Sequence, residues 1–333
     1  MAPIIEVSHI AREFSRPKQV HGPFGGIRTF FSREADTVRA VEDVSFSIDG
    51  GEVVGYLGAN GAGKSTTIKM LSGILMPTAG ELRVNGLVPW QNREENALNI
   101  GVVFGQRTQL WWDLPLIDSL RIIGKLYRMD TPRYERNLAR LNELLDLQPF
   151  LDTPVRQLSL GQRMRGDLTA AMLYEPKILY LDEPTIGLDV VAKERMRSFI
   201  EQVNHESGTT IMLTTHDLAD VERLTKRIIF IDKGRVLFDG PVAELKHRYA
   251  PYRDLHITLA PDGKTGSLDD IAGVMHVDQQ ESRLVIQFDP AAIAVADLIA
   301  AVVDRFAVTD ISIVEPALEN VVRDIVQSGE VRR

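Results

Sequence analysis

Gly58, Gly63, Lys64 and Ser65 stand in the spacing GxxxxGK[ST], within the run Gly58-Ala59-Asn60-Gly61-Ala62-Gly63-Lys64-Ser65-Thr66. That pattern cradles phosphate when backbone N–H groups and the positive end of a helix converge on one point. Glycine lets the main chain approach an anion with no Cβ in the way. Lys64 would set its ammonium on the β- and γ-phosphates of a nucleotide, and Ser65 would give its hydroxyl to Mg²⁺. Thr66 would continue the cradle toward the α-phosphate. The plain alternative is a glycine-rich turn capped by serine. The flanks favour the cradle: Val53-Val54-Gly55-Tyr56-Leu57 reads as a strand and Thr67 to Leu75 carries helical periodicity.

Three more chemistry-bearing groups follow apolar runs. Gln106 comes after Ile100-Gly101-Val102-Val103-Phe104, Asp182-Glu183 after Lys177-Ile178-Leu179-Tyr180-Leu181, and His216 after Thr209 to Thr215. Near-continuous apolar runs suit parallel strands buried on both faces. In open α/β sheets, ligands bind outside the carboxyl ends of such strands. One sheet would therefore gather Lys64, Ser65, Gln106, Asp182, Glu183 and His216 along one edge. Singly, each has an ordinary reading: Asp-Glu-Pro starts helices, Gln106 is a surface amide, and His216 caps a helix.

The elements that must hold these groups follow from the pattern. Ile4 to Ile10 alternates as a half-buried strand, and Ala40 to Ile48 reads as another. Between them, Ser15 to Asp36 is irregular, with Pro17, Gly22, Pro23, Gly25 and Gly26, several cations, and Phe24, Phe30 and Phe31. It is either an exposed hairpin extension or a basic-aromatic surface for lipid headgroups or a membrane partner. Helical patterns over Ile117 to Met129, Pro132 to Leu147 and Arg163 to Tyr174, the last with Ser159 as N-cap, form a helical block inside the α/β core. Trp111-Trp112 precedes that block and reads as core. Beyond Tyr249, strands at Asp254 to Leu259, Arg283 to Phe288 and Val308 to Val314, with helices at Ser267 to Val274 and Ala291 to Phe306, make a small α+β unit.

Composition narrows the class. The chain has 333 residues, 44% hydrophobic and 25% charged, enough for a large core and a smaller domain. A net charge of -8 argues against a surface built to grip nucleic acid. There is no cysteine, so thiolate metal sites, disulfides and cysteine nucleophiles are excluded. The start, MAPIIEVSHI, lacks a cationic region followed by an apolar core. Ala291 to Val303 is too short to span a bilayer and carries Asp297. A soluble, cytoplasmic protein is the expectation, one that could still dock on something in a membrane.

Taken together, the motifs resemble the ATP-binding subunit of an ABC transporter. The phosphate loop is GANGAGKST at Gly58 to Thr66, the signature is LSLGQ at Leu158 to Gln162, and the second acidic motif is ILYLDEP at Ile178 to Pro184. Gln106 matches the glutamine loop, Gly187-Leu188-Asp189 the loop after the acidic motif, and His216 the histidine switch; the match covers about Ile4 to Pro241. Leu160 departs from it, standing where the usual signature has a second glycine.

The resemblance implies an α/β fold: an ABC-type P-loop ATPase with a RecA-like core, an antiparallel β subdomain and a helical subdomain at about 107–172, together spanning 1–245. A C-terminal accessory α+β domain at 250–333 would follow. ATP and Mg²⁺ are the implied cofactors. Ser65, Gln106 and Asp182 would hold Mg²⁺. Glu183 would orient or deprotonate the attacking water, and His216 would contact the γ-phosphate. Gly58, Ala59, Asn60, Gly61, Ala62, Gly63, Lys64 and Thr66 would line the cradle. Ser159, Gly161 and Gln162 would face the nucleotide of a second copy, Asp189 would couple the two sites, and Phe14 would stack on adenine, with Phe30 and Phe31 as rivals. ATP binding would close a homodimer joined to separately encoded membrane permease subunits. On this resemblance Trp111-Trp112 would instead face that membrane partner. The stretch Ile313 to Val321 is similar to the terminal segment of ABC-2-type export ATPases. Non-transport ABC ATPases of translation or DNA repair share the motifs, but such chains usually carry two cassettes or a long coiled coil. Phosphate-loop kinases and GTPases would not need LSLGQ.

Overall fold

The computed structural model describes residues 2–17, 35–105, 107–215, 217–261, 266–268, 270–280, 282–316, 318 and 321–322. Gln106, His216 and the heart of the insert, 18–34 with Phe24, Phe30 and Phe31, lie outside them. The chain divides into two compact units, Met1–Gly240 and Pro241–Arg333.

In the first unit, β1 (Ile5–Pro17), β2 (Ala35–Ile48), β3 (Val53–Gly58), β4 (Ala79–Val84), β5 (Ile100–Phe104), β6 (Ile178–Asp182), β7 (Thr210–Thr214), β8 (Arg227–Asp232) and β9 (Arg235–Pro241) share one sheet. Its order is β4-β1-β2-β9-β8-β3-β7-β6-β5. The run from β8 to β5 is parallel, whereas β1 pairs antiparallel with both β2 and β4. A parallel α/β core thus carries an antiparallel extension on one side.

The parallel strands are buried on both faces, as their unbroken apolar runs require. Leu179 and Leu181 of β6 enter one core with Ile211 and Leu213, while Ile178 and Tyr180 enter the other with Met212, Val54 and Tyr56. Leu179 is fully buried, so Leu179→Ala would cost about 2–5 kcal/mol.

The helices of this unit are α1 (Lys64–Leu71), α2 (Arg93–Asn99), α3 (Leu116–Leu126), α4 (Thr131–Leu145), α5 (Leu160–Met172), α6 (Val190–Ser207) and α7 (Leu218–Leu224). Helices α3, α4 and α5 form the inserted block around Leu116, Leu120, Leu141, Leu145 and Leu168. Asp130 caps α4 by accepting from Arg133 N–H at 2.8 Å, with Pro132 in the first turn. Helix α1 begins at Lys64, three residues before the periodicity suggested, and ends at Leu71, because Gly73 then turns the chain at φ 76°.

The second unit holds α8 (Val242–Tyr249), α9 (Val295–Arg305) and a four-stranded antiparallel sheet. Its strands are β10 (Arg253–Leu259), β11 (Val274–Gln280), β12 (Arg283–Phe288) and β13 (Val308–Val314), in the order β11-β12-β10-β13. Leu298 and Val302 of α9 close a core with Leu255, Ile257, Leu284, Ile286 and Phe288. The helix expected over 267–274 is absent among the described residues. Leu268 is buried there, but Arg305 donates to Ser267 O at 2.7 Å and pairs with the Asp270 carboxylate, pinning a turn. Among the described residues, no helix is long and apolar enough to cross a membrane.

Candidate functional site

The turn from β3 into α1 is held from three sides. Ala62 N–H closes it by donating to Ala59 O at 3.1 Å. Gly234 N–H, between β8 and β9, donates to Ala62 O at 3.1 Å, and Gly234 O accepts from Glu42 and Asp43 N–H of β2 at 2.9 and 3.0 Å. Gly63 lies at φ 108°, and a Cβ there would stand 2.5 Å from Ala40 O, so only glycine fits. The start of α1 has no side-chain cap, which leaves its first N–H groups to the cradle.

Lys64 is 6% exposed. Its ammonium donates to Gly58 O at 2.7 Å and Ala59 O at 3.1 Å, so one of three donors remains for an anion. Burial pulls its pKa down from the usual lysine value, opposed by the charges of Glu183 and Asp182. Those two carboxylates therefore share the cradle's field. Ser65 is exposed beside it, as the motif requires.

Asp182 ends β6 and lies opposite Thr214 of β7, whose hydroxyl donates to Asp182 Oδ1 at 2.7 Å. An exposed serine hydroxyl and an oriented carboxylate are hard oxygen donors of the kind Mg²⁺ takes, so the residues fit that ion. Among the described residues no cluster of three or more acidic or histidine side chains could hold a metal unaided, so a nucleotide and water would complete the shell.

Other predicted residues fall into two groups. Ser159 and Gln162 form a capping box on α5: Ser159 Oγ accepts from Gln162 N–H at 3.2 Å, and Gln162 Oε1 accepts from Ser159 N–H at 2.9 Å. Asp189 caps α6 by accepting from Ala192 N–H at 2.8 Å. Ser159 and Asp189 are exposed, Gly161 and Gln162 are half-buried, and Val190 and Val191, at 82% and 64% exposure, stand next to Asp189. Phe14 lies across from Val38 in the β1–β2 pair, with the Arg12 guanidinium 4.9 Å from its ring centre. Trp111 and Trp112 are 38% and 50% exposed, which decides against the core reading.

Sequence reasoning missed Thr214 and Asp167. Both are buried polar residues inside apolar patterns, Thr214 at a strand end and Asp167 within α5. The only advance signal was a polar residue where the pattern called for an apolar one.

A profile of the ABC transporter family matches residues 41–186. The chain is 33% identical to the ABC transporter ATP-binding protein NatA of Bacillus subtilis over 215 residues, covering 65% of this chain and 87% of that one. The chain belongs to the ABC transporter family.

A Nod factor export ATP-binding protein I of Neorhizobium galegae is 38% identical over 210 residues, covering 62% of this chain and 58% of its own length. A solved ATP-binding subunit of an ABC transporter superposes with a TM-score of 0.61 at 26% identity, covering 74% of this chain and 93% of that one. The ABC cassette architecture expected from the motifs is the one observed, and ATP hydrolysis is the chemistry of the family.

Proposed function

We propose that the chain is the ATP-hydrolysing subunit of an ABC-2-type exporter, working as a homodimer on the inner face of the cell membrane with separately encoded permease subunits. The observation that carries it is the gathering of Lys64, Asp182 and Glu183 around one uncapped helix start at the carboxyl ends of β3 and β6. The names of the relatives, one of them an export ATP-binding protein, support export.

In this reading, residues 58–66 bind the phosphates, and Phe14 stacks on adenine. Ser65 and Asp182, with Gln106, would hold Mg²⁺, which when bound neutralises phosphate charge. Glu183 takes the proton of the attacking water, and Lys64 and His216 stabilise charge on the γ-phosphate. Ser159, Gly161 and Gln162 of one copy complete the pocket of the other, beside Asp189. The exposed Val190 and Val191 suit burial in that contact. Hydrolysis removes the bridging γ-phosphate and shifts the population toward separated copies. Residues 1–245 form the motor, and 250–333 an accessory domain that regulates or stabilises the dimer.

The decisive experiment is Glu183→Gln. It should retain ATP binding, run as a dimer on gel filtration in ATP, and lose turnover. Normal hydrolysis by that variant would overturn the assignment.

A further inference from the structure

The peptide joining Asp182 to Glu183 is gripped from two neighbouring strands. Thr214, fully buried in β7, donates its hydroxyl to Asp182 Oδ1 at 2.7 Å. Thr214 Oγ1 in turn accepts from Glu183 N–H at 3.2 Å, and Thr214 O accepts from that N–H at 2.9 Å. On the other side, Gly105 N–H at the end of β5 donates to Asp182 O at 2.8 Å. A Cβ on Gly105 would stand 2.2 Å from Glu183 O and 3.0 Å from Glu183 C, so the two backbones meet only because that Cβ is missing.

Glu183 is held at φ 56°, a left-handed conformation that side-chain-bearing residues resist. A packing role alone would be served by a relaxed backbone. Strain that the surroundings over-determine, placed on the residue assigned to the water, indicates aim. We infer that Thr214 and Gly105 are positioning residues of the ATPase centre, Thr214 fixing the Asp182 carboxylate and the Glu183 amide, and Gly105 seating the Glu183 carbonyl. The inference rests on the roles given above to Asp182 and Glu183. Thr214 acts through the Asp182 carboxylate on the metal shell and through Glu183 on the water; Gly105 acts on the peptide between Asp182 and Glu183, touching the carbonyl oxygens of both.

The test uses the full chain and four variants: Thr214→Val, Thr214→Ser, Gly105→Ala and Glu183→Gln. Steady-state ATP hydrolysis would be measured against ATP and against Mg²⁺, with binding of a fluorescent ATP analogue in EDTA as the readout of folding and of the cradle. Thr214→Val should lower kcat at least about tenfold and raise the Mg²⁺ needed for half-maximal rate at least about threefold, with analogue binding kept within about twofold. Thr214→Ser should restore both to within about twofold, because it returns the hydroxyl. Gly105→Ala should lower kcat at least about tenfold with analogue binding kept within about twofold.

Parental kcat and Mg²⁺ dependence in Thr214→Val, or failure of Thr214→Ser to restore them, overturns the proposal. If Thr214→Val does not fold, Gly105→Ala decides by its kcat; loss of analogue binding in both makes the pair structural and overturns it equally. An inactive Glu183→Gln beside fully active Thr214→Val and Gly105→Ala removes this inference alone. An active Glu183→Gln removes the assignment beneath it.

Discussion

Asp167 of α5 holds the chain that follows the glutamine loop: its Oδ1 accepts from the Thr108 hydroxyl at 2.9 Å and from Gln109 N–H at 3.0 Å. Gln109 Nε2 also donates to Asp167 O at 3.1 Å. The helix that starts at the signature and the loop that starts at Gln106 are thereby fastened together. Burial pushes the Asp167 carboxyl up from 3.8 to about 6, against the pull of Gln109, Thr108 and Arg163.

A stability effect follows with a definite sign. The folded chain holds the Asp167 proton more tightly than the unfolded chain, so stability falls as pH rises from about 4 to about 6. Above that window the full cost of burying the charge is present, on the order of 3 kcal/mol for a shift of about two units. Asp167→Asn keeps an acceptor for Thr108 and Gln109 and carries no charge. Its urea midpoint, measured from acid to neutral pH, should lack the decline seen in the parent between those values and exceed the parent at neutral pH. A variant that follows the parental curve would show that Asp167 carries no such penalty.

Lys64 is a buried cation whose removal relieves a desolvation cost in the nucleotide-free chain. Lys64→Met exchanges that cost for two lost hydrogen bonds, to Gly58 O and Ala59 O, so the melting temperature without nucleotide should change little, while ATP affinity falls by about 100-fold, as expected for a lost charge-assisted bond worth about 3 kcal/mol. Calorimetric titration with ATP and a thermal melt separate the two effects. Retained affinity would mean that the backbone N–H groups alone bind the phosphates.

Leu160 stands where the usual signature has glycine, and the structure gives its side chain a use. Gly187, at φ 70° in the loop before Asp189, would carry a Cβ only 2.9 Å from Leu160 Cδ2. The signature loop and the Asp189 loop thus touch within one chain. Leu160→Gly removes that brace and adds backbone freedom at the first residue of α5, so it should cost about 1 kcal/mol of stability. It should also weaken ATP-dependent dimer formation by Glu183→Gln severalfold in analytical ultracentrifugation. Unaltered dimer affinity would mean that the contact is incidental.

Trp111 and Trp112 are half-exposed, with Arg163 over the Trp112 ring at 5.5 Å. Replacing both by alanine should leave the chain folded, with a loss of stability of about 3 kcal/mol, because half or more of each side chain is buried. Recovery with membranes from cells that also make the permease should fall. Equal membrane recovery of parent and variant would argue that the pair faces solvent.

The phosphate cradle was legible because its spacing, its flanking strand and its following helix are all local features. The strand ends at Phe104, Leu181 and Thr215 were legible to within one residue, since buried parallel strands write themselves as apolar runs. Element ends were less so: α1 starts at Lys64 because the uncapped turn itself begins the helix, which periodicity cannot register. The segment 267–274 misled because Leu268 and Ile271 have helical spacing, while Arg305, more than thirty residues away, pins the backbone as a turn.

By itself the sequence determined which chemistry the chain carries, because a phosphate loop, an acidic strand end and a signature segment are each defined by residues adjacent in the chain. The tertiary structure decided how those groups are aimed. Thr214 reaches Asp182 across the parallel register of β6 and β7, Gly105 meets Glu183 from the next strand, and Asp167 closes on Thr108 across 59 positions. Each of these is a contact between residues far apart along the chain. Only strand order and helix packing bring them within hydrogen-bond distance, and neither is encoded by local pattern.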